Sequence, residues 1–308
     1  MILQVLILLL GFLLLVKGAD CFVEGAASLA KKLGIPQLII GLTIVAMGTS
    51  MPEAAVSITA ALHNNAGITI GNVVGSNILN ILIILGITAV ITNVAIQKST
   101  LYYEIPFMTG ITILMMLFGI SGSKITLIEG VIFWILFLGF LGYLFVMSKK
   151  SKAPEEEEAK DIPVWKCILF MLIGGIMVVK GSDFAVSGAS EIARFFEMSE
   201  RFIGLTIVAF GTSLPELVTS VTAAKKGNVD IAIGNIVGSN IFNILFVIGT
   251  TALICAVPFQ SKFMIDTTIA IISGIVLWLG TIKTKELRRP CGIIMLLIYA
   301  AYFVYLCM

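Results

Sequence analysis

Charge is what this chain has least of: Asp, Glu, Lys and Arg supply 12% of its 308 residues, while 58% are apolar. No soluble domain of this size hides so much apolar surface in one core, so the scarcity of charge excludes a soluble protein and requires a bilayer. Histidine is nearly absent. The one residue, His63, lies outside every motif described below, and no H-E-x-x-H or G-x-G-D run occurs. An intramembrane hydrolase built on Ser50 or Ser213 would therefore lack its base. The chain is read as a non-enzyme that needs no cofactor. The five cysteines, Cys21, Cys167, Cys255, Cys291 and Cys307, form no C-x-x-C pair and sit mostly in apolar runs, so free buried thiols are expected. The net charge of +2 comes from dispersed basic residues with no basic stripe, which excludes nucleic acid as a partner.

Long polar stretches are equally scarce. Crossing about 30 Å of hydrocarbon takes roughly 20 apolar residues. The polar breaks leave ten such stretches, near 2–29, 36–61, 70–92, 101–120, 125–147, 163–193, 201–224, 231–255, 263–282 and 290–307. The apolar run over 1–16 has no basic residues at its N-terminal side, its continuation from Lys17 recurs later in the chain, and it is read as retained, not as a signal peptide. The only solvated linker is SKKSKAPEEEEAKDI (148–162), which separates a five-helix unit at 1–147 from another at 163–308. In alternate loops one set carries Lys31, Lys32, Lys98, Lys149, Lys150, Lys225, Lys226, Arg288 and Arg289 among others, and the opposite set only Lys124, Arg194, Arg201 and Lys262. The positive-inside rule then places the linker in the cytoplasm and both termini outside.

The two units are copies. At an offset of 163 residues GLTIVAMGTSMPE (41–53) returns as GLTIVAFGTSLPE (204–216), identical at eleven of thirteen positions, and GNVVGSNILNIL (71–82) returns as GNIVGSNIFNIL (234–245), identical at ten of twelve. Duplication of an odd number of spans predicts an all-α membrane protein of ten transmembrane helices in two inverted-topology five-helix repeats, with motif regions at 41–82 and 204–245. Corresponding breaks in two apolar segments point to a transport site at the repeat interface.

Each break is G-T-S-x-P-E. Proline removes an amide proton, so carbonyls near residues 46–49 and 209–212 are expected to lose helical partners, which at membrane depth suits a dehydrated cation. Glu53 and Glu216 lie mid-span, where an ionised side chain costs about 2.5–3.5 kcal/mol on insertion scales. Two carboxylates match one divalent charge. Around them the motifs offer the hydroxyls of Thr49, Thr212, Ser50, Ser213, Ser76 and Ser239 and the amide oxygens of Asn80 and Asn243. All-oxygen ligation suits calcium, magnesium or sodium and argues against zinc, copper and iron. Ser76 and Asn80 are four apart and share a helix face. The Gly71/Gly75 and Gly234/Gly238 pairs are expected to bring helix three against helix two and helix eight against helix seven.

These paired motifs resemble the alpha repeats of the calcium/cation antiporter superfamily, most closely its sodium/calcium exchanger branch. The resemblance implies an antiporter that exchanges Ca2+ for Na+ by alternating access, with calcium held by Glu53, Glu216 and the carbonyls of Thr49 and Thr212. It implies sodium sites that use Ala46, Ser50 and Ser76 on one side and Ala209, Ser213 and Ser239 on the other, with Asn80 and Asn243 completing the pocket. Relatives often carry Asp at the position of Asn243, so potassium dependence is not expected. The fifteen-residue linker leaves no room for the large regulatory domains of animal exchangers. Calcium/proton exchange on the same fold and a passive calcium channel are the rival readings; proton-coupled relatives resemble G-N-x-x-E instead. The expected setting is a prokaryotic plasma membrane, with the lipid bilayer, Ca2+ and Na+ as partners and no obligate protein partner. Lys17 with Asp20, and Lys180 with Asp183, are expected to form ion pairs. Glu104, Glu129 and Asp266, near span ends, are assigned no chemistry.

Overall fold

The computed structural model describes residues 2–63, 66–150, 162–197 and 209–307. Its elements are helices, as lipid demands, because only a helix or a closed barrel satisfies its own backbone where no water is available. In chain order they are α1 (Ile2–Leu33), α2 (Gln37–Thr49), α3 (Met51–Leu62), α4 (Ala66–Ile91), α5 (Thr100–Gly122), α6 (Leu127–Lys150), α7 (Val164–Phe195), α8 (Ala209–Gly211), α9 (Leu214–Lys225), α10 (Val229–Ile254), α11 (Lys262–Ile282) and α12 (Arg289–Cys307). Among the described residues eight helices are long and apolar enough to cross a membrane, and the α2–α3 pair, bent by 49°, makes a ninth. The expected span at 201–224 begins outside the described residues, and its second half is α9. Gly34 at φ 65° and Gly227 at φ 81° take the left-handed backbone after α1 and α9. Helix α6 runs on to Lys150, so Ser148, Lys149 and Lys150 extend a helix where linker was expected; residues 151–161 lie outside the described set.

Helices α4 and α10, which carry the G-N-x-x-G-S-N-x-x-N motifs, form the centre, with 72% and 94% of their most apolar stretches buried, whereas α1 and α7 have 22% and 28% buried. Two short antiparallel ladders tie the halves together outside the helices: β1 (Val94–Ala95) pairs with β4 (Glu286–Leu287), and β2 (Lys124–Ile125) with β3 (Val257–Pro258).

Helices α1 and α7 pack antiparallel along a seam of glycines seven residues apart. A Cβ at Gly11 would sit 2.5 Å from the Ala185 nitrogen, at Gly18 2.9 Å from the Gly174 carbonyl oxygen, and at Gly174 2.5 Å from the Phe22 nitrogen. Backbone meets backbone there, which only small residues permit.

The second glycine pair corrects an expectation. Gly234 and Gly238 lie against α2, where their Cβ atoms would come within 2.8 Å of the Leu38 and 2.7 Å of the Leu42 carbonyl oxygens, and not against α9. Gly71 faces Phe263 of α11. The close approach of α10 is thus to the other half of the molecule, and it brings the second motif of one half onto the first motif of the other. One expected ion pair is also different: Lys180 and Asp183 pair at 3.2 Å, but Asp20 is held by Lys226 at 3.1 Å and not by Lys17.

Candidate functional site: a buried oxygen cluster

Both prolines stand at the start of a helix, where the chain bends. Ser50 (φ −86°, ψ 8°) and Ser213 (φ −92°, ψ 4°) leave helical geometry, and Pro52 and Pro215 occupy the first turns of α3 and α9, where a missing amide proton costs nothing. That places Glu53 and Glu216 in the first turn of their helices. The positive end of the helix dipole there favours a carboxylate. The expectation that the Ala46 carbonyl is left free does not hold. It accepts from the Ser50 amide at 3.0 Å, from the Thr49 hydroxyl at 3.3 Å and from the Ser239 hydroxyl at 3.4 Å.

The side chains converge from both halves. Glu53 and Glu216 are both buried, and each lies within electrostatic reach of the other. Ser50 donates to Glu216 Oε1 at 2.8 Å across the boundary between the halves, and Ser76 donates to Glu53 Oε1 at 3.4 Å. Asn80 Nδ2 donates to the Asn240 side-chain oxygen at 2.9 Å, and Asn243 Nδ2 to that of Asn77 at 3.1 Å. Asn77 and Asn240 in turn donate to each other's backbone carbonyl at 3.3 and 3.2 Å, a reciprocal clamp at the centre of the molecule. The Thr49 hydroxyl also donates to Asn235, whose amide reaches Ser220 at 2.9 Å; Asn72 makes the matching contact to Ser57 at 3.0 Å. Wide turns of π-helix at Leu79–Leu85 and Asn243–Ile248 begin at the inner asparagines, a distortion typical of functional helices.

What the network leaves unmade defines its chemistry. Glu53 Oε2, Glu216 Oε2, the side-chain oxygens of Asn80 and Asn243, and the Ser213 hydroxyl are buried without a hydrogen-bond partner. Each orphaned buried polar group costs about 1–3 kcal/mol, and more if it is charged. Four of the five are pure acceptor oxygens, from two carboxylates and two amides. Among the described residues no group of three or more His, Cys, Asp or Glu side chains assembles, so a soft-metal centre has no ligands there. Hard cations suit such a donor set.

Of the residues singled out from the sequence, the structure therefore gathers Thr49, Ser50, Glu53, Ser76, Asn80, Ser213, Glu216, Ser239 and Asn243 among their buried contacts, with Ala46 at the edge as a backbone acceptor. Thr212 is half-buried in the turn before Ser213, and Ala209 starts α8. The other asparagines of the same motifs, Asn72, Asn77, Asn235 and Asn240, escaped notice, although their identity across the repeat was the available signal. A recess of about 600 Å³ lined by Pro52, Gly211, Thr212 and Asp183 reaches the helix breaks from one side. Ser182 of α7 closes its rim by donating to the Gly211 carbonyl at 2.6 Å.

Comparison with known proteins agrees with this picture. Residues 3–146 and 166–308 match a family described as sodium/calcium exchanger protein. Among similar proteins, a putative antiporter CaxA of Alkalimonas amylolytica is 39% identical, with 98% of each chain covered. The sodium/calcium exchanger MaX1 of Methanosarcina acetivorans is 32% identical, covering 98% of this chain and 97% of the relative. A solved structure of the sodium-calcium exchanger NCX_Mj superposes with a TM-score of 0.87 at 34% identity, over 100% of both chains.

Proposed function

The chain belongs to the sodium/calcium exchanger family, and from that premise we propose that it exchanges Ca2+ for Na+ at the buried oxygen cluster. The family is one of membrane transporters, so the chain is a multi-pass antiporter of the cation/calcium class and not an enzyme. The observation that carries the sodium/calcium reading is the set of orphaned acceptors: two carboxylate oxygens and two amide oxygens, buried and facing no donor.

In this reading calcium is held by Glu53 Oε2, Glu216 Oε2 and the carbonyls of Thr49 and Thr212. Sodium ions use overlapping oxygens: Ser50, Ser76 and the Ala46 carbonyl from one half, Ser213, Ser239 and the Ala209 carbonyl from the other. Asn80 and Asn243 close the centre. The two carboxylates repel each other in a dry interior unless a cation lies between them, so the empty site is costly and one ion leaves most easily as others enter. That is the physical basis of exchange: the pocket trades occupants and does not stand vacant.

The chain is proposed to span the bilayer ten times, as two five-helix units, 1–147 and 163–308, in inverted orientation. The linker would lie in the cytoplasm of a prokaryotic cell, with both termini outside. The helix breaks of α2–α3 and of α8–α9 then meet near the midplane, and a single site opens to each face in turn.

The test is calcium uptake into proteoliposomes of the purified protein, driven separately by an outward sodium gradient and by a pH gradient. Uptake with the sodium gradient alone is expected. Uptake that follows only the pH gradient would replace sodium by protons as the exchanged ion, and uptake that needs no counter-ion gradient would make the protein a channel.

A further inference from the structure

A third buried carboxylate stands outside the cluster, at the opposite end of α5 from Gly122. Glu104, five residues into α5, has 1% of its surface exposed, and one oxygen accepts from the Tyr143 hydroxyl of α6. Its other oxygen, Oε2, is buried with no hydrogen-bond partner, and among the described residues no cation pairs with it. The hydroxyls of Ser99 and Thr100 lie within reach of the carboxyl as donors, and both are themselves buried among the unpartnered groups.

Glu104 is among the residues that line a cavity of about 530 Å³ between α5 and α6. The walls are aromatic: Phe107 stacks on Phe140 at 5.5 Å between ring centroids, Phe140 on Tyr143 at 6.3 Å, and Tyr103 tilts toward Tyr143 at 6.3 Å. Tyr102 and Tyr103 stand at the mouth, 52% and 64% exposed. Aromatic faces around one negative group attract an organic cation. The unmade bond on Oε2 takes a hydrogen donor, which a primary ammonium has and a quaternary ammonium lacks.

Position identifies where that ammonium comes from. The cavity opens on the outer face of two spanning helices, beside exposed Ile135 and Leu138, so its mouth meets lipid. Glu104 is within about 8 Å of the start of α5, and Tyr143 is about 10 Å from the end of α6 at 1.5 Å per residue, a depth just below the headgroups. That end of the molecule carries Lys98, Lys149 and Lys150, and Lys150, seven residues beyond Tyr143, shares its helix face. Basic side chains at this level attract lipid phosphates. The second half has a related pair without the site: Tyr302 donates to Asp266 at 2.8 Å, but Asp266 is only half-buried and both its oxygens escape the orphaned set.

We propose that the α5–α6 cavity is a lipid site that takes the ethanolamine headgroup of a phospholipid, with the ammonium between Glu104 and the aromatic walls and the phosphate toward the lysines. Gly139 lines the cavity, and a Cβ built there meets no atom within 4 Å, so a larger side chain enters the cavity without disturbing Glu104.

The experiment is native mass spectrometry of the detergent-purified full chain, titrated with phosphatidylethanolamine, phosphatidylcholine, phosphatidylglycerol and soluble phosphoethanolamine. One phosphatidylethanolamine per chain is expected, bound about tenfold more tightly than the other two lipids, the scale of one charge-assisted hydrogen bond. Glu104→Gln and Gly139→Leu should each weaken it about tenfold while leaving phosphatidylglycerol binding unchanged. Should Glu104→Gln fail to fold, Gly139→Leu carries the test alone. Equal binding of all three lipids to the unaltered protein, or undiminished phosphatidylethanolamine on folded Gly139→Leu, overturns the proposal. Displacement of the lipid by soluble phosphoethanolamine at equal affinity also overturns it, in favour of a dissolved amine.

Discussion

The two halves are nearly the same sequence at the motifs and not the same structure there. Ser50 reaches across to Glu216 at 2.8 Å, whereas its repeat mate Ser213 is buried with no partner and donates nothing to Glu53. Ser76 holds Glu53 at 3.4 Å, whereas its mate Ser239 turns to the Ala46 carbonyl. The flanks differ in the same sense. On one side Asp20 is clipped to Lys226, which also donates to the Asp20 carbonyl at 2.9 Å; on the other Asp183 pairs with Lys180 on its own helix and lines the open recess beside Thr212. Equivalent sequence thus takes two unequal arrangements within one conformation. Exchange of the two arrangements between the halves is what the proposed site would use to face one side and then the other.

The largest expected effect comes from removing what the halves share. Glu53→Gln or Glu216→Gln takes away one of the two negative charges that balance a divalent cation in a dry site, and a hundredfold loss corresponds to about 3 kcal/mol of that attraction. Sodium-driven calcium uptake should fall at least about a hundredfold in each variant, with circular dichroism and melting unchanged. Full activity in either would show that the halves do not meet at these residues.

Next comes the seam that binds α1 to α7. Gly18→Leu or Gly174→Leu drives a side chain into backbone at under 3 Å, which neither helix can yield without moving away. A melting temperature lowered by about 5 °C or more is expected, together with lost exchange. An unaltered melting curve would mean that the seam does not hold the pair.

The serines sharpen the asymmetry itself. A hydrogen bond to a charged group is worth about 1.5–3 kcal/mol, and of the two repeat-mate serines Ser50 bonds the carboxylate of the other half while Ser213 does not. Ser50→Ala and Ser213→Ala should therefore shift the ratio of apparent calcium affinities on the two faces of the vesicle in opposite directions, by about tenfold. Shifts of the same sign would show that the difference between the halves has no part in the cycle. Smaller still is the clip. Lys226→Ala removes a pair whose side chains are 33% and 41% exposed, so at most about a fivefold change in exchange rate is expected, and none in calcium affinity at saturation.

Spans and motif residues were legible because in an apolar chain every polar residue inside a span stands out, and duplication repeated the signal. Partners were not. A spacing of four places Gly234 and Gly238 on one face of α10 but does not say which helix that face meets, and it meets α2 of the other half. The break at the prolines was legible, and the chain does bend by 49° between α2 and α3, but sequence alone does not say that the turn at Ser50 and Ser213 makes each proline open a new helix and leaves the Ala46 carbonyl bonded. Asn77 and Asn240 carried no assignment in the sequence, yet they clamp each other across the centre and their side-chain oxygens hold the inner asparagines Asn80 and Asn243. The heptad glycines of α1 and α7 were present in both copies, and only the antiparallel packing shows why they recur.

The central claim is that one pocket, built from Glu53 and Glu216 together, holds calcium and yields it to sodium. Equilibrium calcium binding to the purified protein, measured at increasing sodium concentrations for the unaltered chain and for the Glu53→Gln/Glu216→Gln double variant, tests it most directly. The account predicts saturable calcium binding that sodium displaces and the double variant lacks; calcium bound undiminished by the double variant, or indifferent to sodium in the unaltered chain, would contradict it.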